Sequence, residues 1–257
     1  MSPIAFYIGS FPVRWYGIAY LITFIASLFL VKHFIKFQNP KVFIKRDVDT
    51  LLNYIIAGVI LGGRVGEYVF YKQEIFTWEI LHITQGGMSF HGGVCGVVVA
   101  IIIYGKIYKK GIYQISDLVT MCVPIGSFLG RLANYVNCEV VGVKTTFFST
   151  YMPSLLSYFP SLNRHPVVFY EAFFEGFLLF VILCNRKKAS RTGVITWQFL
   201  FFYGLFRFCL EFFRVSDGSV GILSIAQWLS LFMMIAGALI YYLVARKSSG
   251  SNIKTKT

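Results

Sequence analysis

Residues 121–142 read MCVPIGSFLGRLANYVNCEVVG. The apolar run from Met121 to Leu129 carries no charge, so Arg131 and Asn134 follow it at or near bilayer depth. An arginine there costs at least ~2.5 kcal/mol and persists only if it is paired or lines a wet cavity. If the run stays helical, Arg131, Asn134 and Cys138 share one face, because positions three and four apart are neighbours. That face suits an anionic headgroup; the alternative is an arginine that caps a helix end through backbone carbonyls.

Similar apolar stretches recur along the chain. It has 257 residues, of which 56% are hydrophobic and 14% are charged. About 20 apolar residues cross a bilayer, and helices satisfy their own backbone hydrogen bonds in lipid. The sequence therefore predicts an all-α integral membrane protein, a bundle of about seven transmembrane helices in a single polytopic domain over residues 1–257. The predicted spans are Trp15–Val31, Leu51–Tyr71, Met88–Tyr104, Ile115–Tyr135, Val167–Leu183, Val194–Phe213 and Leu223–Val244.

The cations between the spans predict the orientation. Sixteen Lys and Arg residues fall in the loops on one side of the predicted spans and five on the other. Since the cation-rich side faces the cytoplasm, we expect the N-terminus outside and the polar tail 246–257 in the cytoplasm. The aromatic, amphipathic segment 143–166 then lies at the extracytoplasmic surface. The formal charge of +13 is thereby explained by topology, so no nucleic-acid partner is expected.

Two candidate residues lie in glycine-rich stretches. Arg64 belongs to LGGRVGE (61–67), where Glu67 is close enough for a local ion pair, so a structural role competes with substrate binding. His91 belongs to GGMSFHGG (86–93), and glycines permit close approach of a ligand. A neutral histidine can take a proton near pH 7. The alternative is a hydrogen-bonded core histidine.

A polar stripe marks the sixth predicted span. Tyr203, Arg207, Glu211 and Arg214 are spaced by four, four and three residues on a helix otherwise rich in Phe and Leu. Guanidinium groups match phosphate oxygens, so two arginines on one stripe indicate an anion site. The alternative is a buried Arg207–Glu211 pair that only fixes helix register. Tyr16, next to Trp15, is most simply an interfacial aromatic anchor.

Taken in order, these motifs resemble those of the bacterial prolipoprotein diacylglyceryl transferase family. The resemblance spans nearly the whole chain. It departs from the family pattern at Ala133 and Cys138, where glycine is usual, and at Val168 and Phe169, where Gln and Leu are usual. The matching stretches are WYG (15–17), GGRVG (62–66), GGMSFHGG (86–93), residues 130–142, RHP (164–166), YE (170–171), YGLFR (203–207) and EFFR (211–214).

The resemblance implies a reaction and a set of site residues. The expected activity is transfer of the diacylglyceryl group from phosphatidylglycerol to the lipobox cysteine thiol of a prolipoprotein, which forms a thioether and releases glycerol-1-phosphate. The implied catalytic residues are His91 as the candidate base and Arg131 and Arg207 as phosphate ligands. No metal or other cofactor is expected, because the cations serve that purpose. The expected substrate-binding residues are Tyr16, Arg64, Asn134, Glu139, Gly142, Tyr203, Glu211 and Arg214.

The expected location is the bacterial cytoplasmic (inner) membrane, with the active site towards the outer leaflet and open to membrane lipids. Two other functions compete with this reading. A membrane transporter or binding protein for an anionic lipid would use the same arginines without chemistry, although the chain lacks the internal repeats common in transporters. An intramembrane hydrolase would need an activated nucleophile, and no Gly-x-Ser-x-Gly motif occurs in the sequence.

Overall fold

The computed structural model describes residues 3–37, 42–72, 78–81, 87–146, 163–185, 192–216 and 218–253. Nine α-helices and four short strands occur in these ranges. The helices are α1 (Trp15–Phe34), α2 (Lys45–Glu67), α3 (Phe90–Ile107), α4 (Ile112–Thr120), α5 (Val123–Asn137), α6 (Val167–Glu171), α7 (Leu179–Cys184), α8 (Val194–Leu210) and α9 (Ile225–Ile253). The strands are β1 (Ile4–Ile8), β2 (Phe11–Arg14), β3 (Ser219–Val220) and β4 (Leu223–Ser224).

Tighter and wider helical turns extend several of these helices. Short 3₁₀ turns cover Ile35–Phe37, Trp78–Leu81 and Glu211–Phe213. A π-helical turn, Tyr68–Lys72, follows α2, and a longer one, Ala172–Leu178, joins α6 to α7. The strands form two antiparallel hairpins, β1 with β2 and β3 with β4. Each hairpin immediately precedes a long helix, α1 or α9, and neither was predicted from the sequence.

The helices confirm an all-α integral membrane protein. The part of the chain described contains six helical segments that are long and apolar enough to cross a membrane, and a shorter apolar helix, His91–Ile107, matches the third predicted span. The outward N-terminus and the single domain stay predictions. Residues 147–162 of the predicted surface segment and 254–257 of the predicted tail lie outside the described residues. The six segments are Trp15–Phe34, Lys45–Glu67, Ile112–Asn137, Val167–Cys184, Val194–Phe213 and Ile225–Val244.

The fourth span consists of two helices rather than the single helix predicted. α4 ends at Thr120, and α5 begins at Val123. Pro124 lies in the first turn of α5. A proline is tolerated there because the first N–H groups of a helix have no intrahelical partner. It cannot extend the hydrogen bonds of a preceding helix, so the interruption follows from the sequence.

The chain divides into two compact units. The first unit comprises Met1–Leu30 and Asp117–Thr257, and the second comprises Val31–Ser116. In the first unit, Leu179 and Leu183 of α7 pack with Phe199 of α8 in a buried apolar cluster. Most of the predicted site residues belong to this first unit; His91 and Arg64 belong to the second.

A buried carboxylate links α4 to α8 in the first unit. Asp117 accepts hydrogen bonds from the backbone N–H groups of Gly193, at 2.6 Å, and Thr196, at 2.8 Å. The hydroxyl of Thr196 donates to the same side chain at 2.6 Å. The first N–H groups of a helix need such acceptors. Asp117 therefore satisfies the start of α8 although it lies far away in sequence.

In the second unit, α2 and α3 meet through glycines spaced four residues apart. Gly58, Gly62 and Gly66 of α2 face Gly92 and Gly96 of α3. A methyl group added at Gly58 would lie 2.6 Å from the carbonyl oxygen of Gly96, and one at Gly66 would lie 2.5 Å from Cα of Gly92. Such spacing of small residues lets helix backbones pack closely in membranes.

This contact predicts a difference between two adjacent glycines. A methyl group at Gly92 would lie 2.7 Å from Cα of Gly66, whereas the closest atom to one at Gly93 is the Val59 carbonyl oxygen, at 3.8 Å. We therefore expect Gly92→Ala to destabilise the protein by about 1–3 kcal/mol, the usual cost of overpacking. The matched control Gly93→Ala should stay close to wild type. Thermal unfolding in detergent measures both, and equal stabilities would contradict the packing described.

Candidate functional site

Three arginines and three glutamates form an ion-pair cluster in the first unit. Arg131 comes from the middle of α5, Arg207 from the last turn of α8, and Arg214 from the extended chain that follows α8. The acids come from two segments: Glu171 and Glu175 lie at and after the end of α6, and Glu211 follows α8. The formal charges of the six side chains cancel.

Glu171 is the acid that the three arginines share. Its Oε1 lies 2.5 Å from Nη1 of Arg207 and 3.6 Å from Nη1 of Arg214. Its Oε2 lies 3.3 Å from Nε of Arg131. Two further acids complete the cluster, because Glu175 binds Arg131 and Glu211 binds Arg207, each at 2.9 Å.

Arg131 thus contacts carboxylates and an amide in the described structure. These contacts do not support the alternative in which Arg131 caps a helix end through backbone carbonyls. Its Nη1 donates to Oδ1 of Asn134 at 3.4 Å, so the predicted shared face of these two residues is present. Cys138 leaves that face. α5 ends at Asn137, and Cys138 follows as a buried cap with a left-handed backbone, φ 56°.

The arginines are more exposed than the acids that hold them. Glu171 and Glu175 have side-chain exposures of 0%, whereas those of Arg131 and Arg207 are 18% and 14%. Each guanidinium carries five N–H donors. An arginine can therefore hold a carboxylate on its buried side and donate to an anion on its accessible side.

A second polar group extends the cluster from α5 to the first turn of α1. The hydroxyl of Tyr16 donates to Oε2 of Glu139 and accepts from the amide of Asn134. The amide nitrogens of Asn134 and Asn137 also donate to the Glu139 carboxylate, each at 3.0 Å. Tyr16 is therefore part of a hydrogen-bond network, which goes beyond the anchor role suggested by its position beside Trp15.

Gly142 belongs to a short extended segment that holds Arg214 and Arg164. Its backbone pairs with that of Arg214 in an antiparallel bridge, and its carbonyl accepts from Nη1 of Arg164 at 2.9 Å. A Cβ at Gly142 would overlap the backbone of His165. This close approach explains the glycine in structural terms, and direct contact with substrate stays a prediction.

Of the remaining predicted residues, Tyr203 adjoins the ion-pair cluster, whereas His91 and Arg64 lie in the second unit. Tyr203 lies one turn before Arg207 on α8, with its ring 5.4 Å from that of Phe199. His91 is an exposed residue in the first turn of α3, in the second unit. The N-cap of that turn is Ser89, whose hydroxyl accepts from the backbone N–H of Gly92.

Arg64 is buried in the second unit, where it forms hydrogen bonds with the backbone of the chain that follows α2. It donates to the backbone carbonyls of Glu79 at 2.6 Å, Ile80 at 3.0 Å and Gly87 at 3.1 Å. Its guanidinium also lies over the ring of Tyr68, 5.0 Å from the centroid. These contacts favour the structural alternative for Arg64.

Sequence reasoning missed Glu175 and Asn137 as site residues and named Glu171 only within a motif. The usable signal was the spacing of Glu171 and Glu175, two acids four residues apart in an apolar span. Ionisable residues in such spans are functional candidates by default. In the ranges the structure describes, no group of three or more His, Cys, Asp or Glu side chains could hold a metal ion.

The cluster presents fixed cationic donors of the kind that an anion requires. Two guanidinium groups that share one carboxylate are held side by side, and the carboxylates restrict their rotation. Preorganised cationic donors stabilise charge that develops on a bound group, because they need no rearrangement during the reaction. The described geometry therefore suits recognition of a phosphate and stabilisation of a phosphate leaving group.

Comparison with known proteins gives one family. A family model described as "Prolipoprotein diacylglyceryl transferase" matches residues 3–243. A protein from Buchnera aphidicola subsp. Acyrthosiphon pisum (strain Tuc7), named phosphatidylglycerol–prolipoprotein diacylglyceryl transferase, is 38% identical over 269 residues, covering 94% of this chain and 95% of its own.

Relatives from other bacteria carry the same name. The one from Pseudoalteromonas translucida (strain TAC 125) is 40% identical over 246 residues, covering 92% of this chain and 90% of its own. The one from Bordetella parapertussis is 36% identical over 260 residues, covering 97% of both. Such identity over nearly full length, together with the family match, places this chain in the prolipoprotein diacylglyceryl transferase family.

Proposed function

We propose that this protein transfers the diacylglyceryl group of phosphatidylglycerol to the lipobox cysteine thiol of prolipoproteins, the first step of lipoprotein maturation. The products are a thioether-linked lipid and glycerol-1-phosphate. Membership of the transferase family supports this activity. The single structural observation that carries it is the pair Arg131 and Arg207, which share Glu171 in a largely buried cluster.

In the proposed reaction, the thiolate attacks the glyceryl carbon that bears the phosphate. The carbon–sulfur bond forms as the carbon–oxygen bond breaks, and the phosphate leaves with the electron pair. Arg131 and Arg207 stabilise the charge that grows on the leaving oxygen. His91 is the proposed base for the thiol proton, since the thiolate is the reactive form.

Other residues position the two substrates. The network of Tyr16, Asn134 and Glu139 offers donors and acceptors beside Arg131, and these suit the hydroxyl groups of a glycerol headgroup. Glu211 orients Arg207 through their 2.9 Å contact. The proposed set is completed by Tyr203, Arg214 and Gly142, whereas Arg64 acts through its backbone contacts in the second unit.

We place the protein in the bacterial cytoplasmic membrane, with the N-terminus outside and the site towards the outer leaflet. The excess of loop cations on one side supports this orientation. Both substrates reach the site within the membrane, where the acyl chains of the donor stay in lipid while its phosphate approaches the arginines.

The direct test is transfer from labelled phosphatidylglycerol to a lipobox peptide by the purified protein in lipid vesicles. We expect a thioether product and an equal amount of glycerol-1-phosphate, identified by mass spectrometry. Lipid binding or lipid movement without any thioether product would overturn the transferase and support the transporter alternative.

The same assay tests the proposed base. His91→Gln should lower transfer by about 10²–10⁴-fold, the usual contribution of general acid–base catalysis, while phosphatidylglycerol binding stays near wild type. The matched control is His33→Gln, because His33 is also an exposed histidine and lies near the end of α1. Near-normal turnover of the His91 variant would remove His91 from the mechanism.

A further inference from the structure

Glu175 has an arrangement that the proposed mechanism does not use. Its side chain is 0% exposed, and its Oε2 accepts from Nη2 of Arg131 at 2.9 Å. Its Oε1 lies 3.9 Å from Nη1 of Arg207, beyond hydrogen-bond distance. Towards the residues that the structure describes, this buried oxygen makes no hydrogen bond. Oε2 of Glu171 and Oε2 of Glu211 also lack one, but each lies within 3.3 Å of a guanidinium nitrogen, so Oε1 of Glu175 is the oxygen farthest from a cation.

The charge of the cluster changes when the lipid binds. The three arginines and three glutamates carry equal numbers of formal positive and negative charges. A phosphodiester brings one further negative charge into a site that is largely closed to water. Buried charges must be compensated, and the commonest means for a carboxylate is to bind a proton.

Of the three acids, Glu175 is best placed to accept this proton. Glu171 has charged contacts with three arginines, two of them within 3.3 Å. Glu211 is paired with Arg207 within one helical turn and is 4% exposed. Glu175 is fully buried, has one close cationic contact, and follows Glu171 by four residues, so two like charges compete for the same arginines.

The charged and titratable groups that face Glu175 come from α5, α6 and α8. Arg131 of α5 and Arg207 of α8 are its cationic neighbours. Glu171, at the end of α6, is its anionic neighbour, and the phenol of Tyr203 on α8 is also within electrostatic range. The two arginines keep their charge throughout, because guanidinium groups do not lose their protons in proteins.

We propose that Glu175 takes up one proton when the phosphodiester headgroup binds, so that the cluster with bound lipid again has no net charge. Oε2 still accepts from Arg131, which keeps that guanidinium in place, and the protonated Oε1 becomes a hydrogen-bond donor inside the site. Glu175 is thereby a positioning residue that couples lipid binding to proton uptake. This inference rests on the proposed function.

Infrared difference spectroscopy tests this directly. Phosphatidylglycerol is added to the full-length protein in a zwitterionic detergent, without peptide, so that no transfer takes place. We expect a new carboxylic-acid C=O band in the wild type that shifts in D₂O and is absent from Glu175→Gln. The control Glu79→Gln should keep the band, because Glu79 is an exposed acid of the second unit.

Affinity gives a second measurement, and its wild-type part does not depend on the stability of the variant. When binding takes up a proton, the dissociation constant rises with pH, by at most tenfold per pH unit. We expect this rise in the wild type and a flat dependence in Glu175→Gln. Lipid binding without the infrared band, or with a band that persists in Glu175→Gln, would overturn this inference alone. A protein that does not bind phosphatidylglycerol would overturn the proposed function as well.

Discussion

Replacing Arg207 with alanine is expected to reduce transfer by at least about 100-fold, because one preorganised donor to a developing negative charge is usually worth 10²–10³ in rate. Arg207 binds Glu171 and Glu211 at once, so both acids also lose their closest partner. Arg207→Lys keeps the charge but loses the planar fork of donors, and we expect it to stay well below wild type. Single-turnover transfer in lipid vesicles measures each variant.

A double variant separates catalysis from folding in this experiment. Arg207→Ala leaves Glu211 buried without its 2.9 Å partner, and the second change Glu211→Ala removes that stranded charge. The double variant should regain part of the lost stability but none of the activity. Arg14→Ala serves as control for loss of an exposed arginine in the same unit. If activity returned together with stability, Arg207 would be a structural residue only.

Replacing Glu171 with alanine should give the largest loss of stability. The side chain is fully buried and has charged contacts with Arg131, Arg207 and Arg214. Removing one partner of a buried ion pair typically costs 3–5 kcal/mol, because the remaining charge is left uncompensated. We expect a loss of about that size in detergent-solubilised protein, measured by thermal unfolding, together with loss of transfer.

A surface ion pair provides the matched comparison. Glu79 lies 3.8 Å from Lys72, and both side chains are exposed. Exposed pairs contribute about 0–1 kcal/mol, so Glu79→Ala should change stability little. A Glu171 variant as stable as the Glu79 variant would show that the cluster does not depend on its shared carboxylate.

Much of the fold could be predicted from the lengths of the apolar runs in the sequence. Helices that cross a membrane need long uncharged runs, and those runs gave the seven segments now seen as helices. Helix ends were harder to predict, because the polar first turns contain no such signal. α2, for example, begins at Lys45 rather than Leu51, where Asp47 accepts from the N–H of Ile44 at 3.0 Å.

Only part of the candidate site could be predicted from the sequence. Spacing within one helix correctly joined Arg131 to Asn134 and Arg207 to Glu211, because neighbours three and four residues apart share a face. Pairing between helices follows from tertiary packing, which spacing does not encode. The contact of Arg131 with Glu175, 44 positions away, is of this kind.

The glycine contact of α2 and α3 has a consequence for motion. Side chains at most helix interfaces lose rotamer freedom on packing, whereas glycine has no side-chain conformational entropy to lose. The facing positions of Gly58, Gly62, Gly66, Gly92 and Gly96 contain no rotatable side-chain bond. Rotamer exchange therefore cannot loosen this contact, and the backbones themselves must separate before the two helices can shift. The pair is accordingly expected to move as one rigid body.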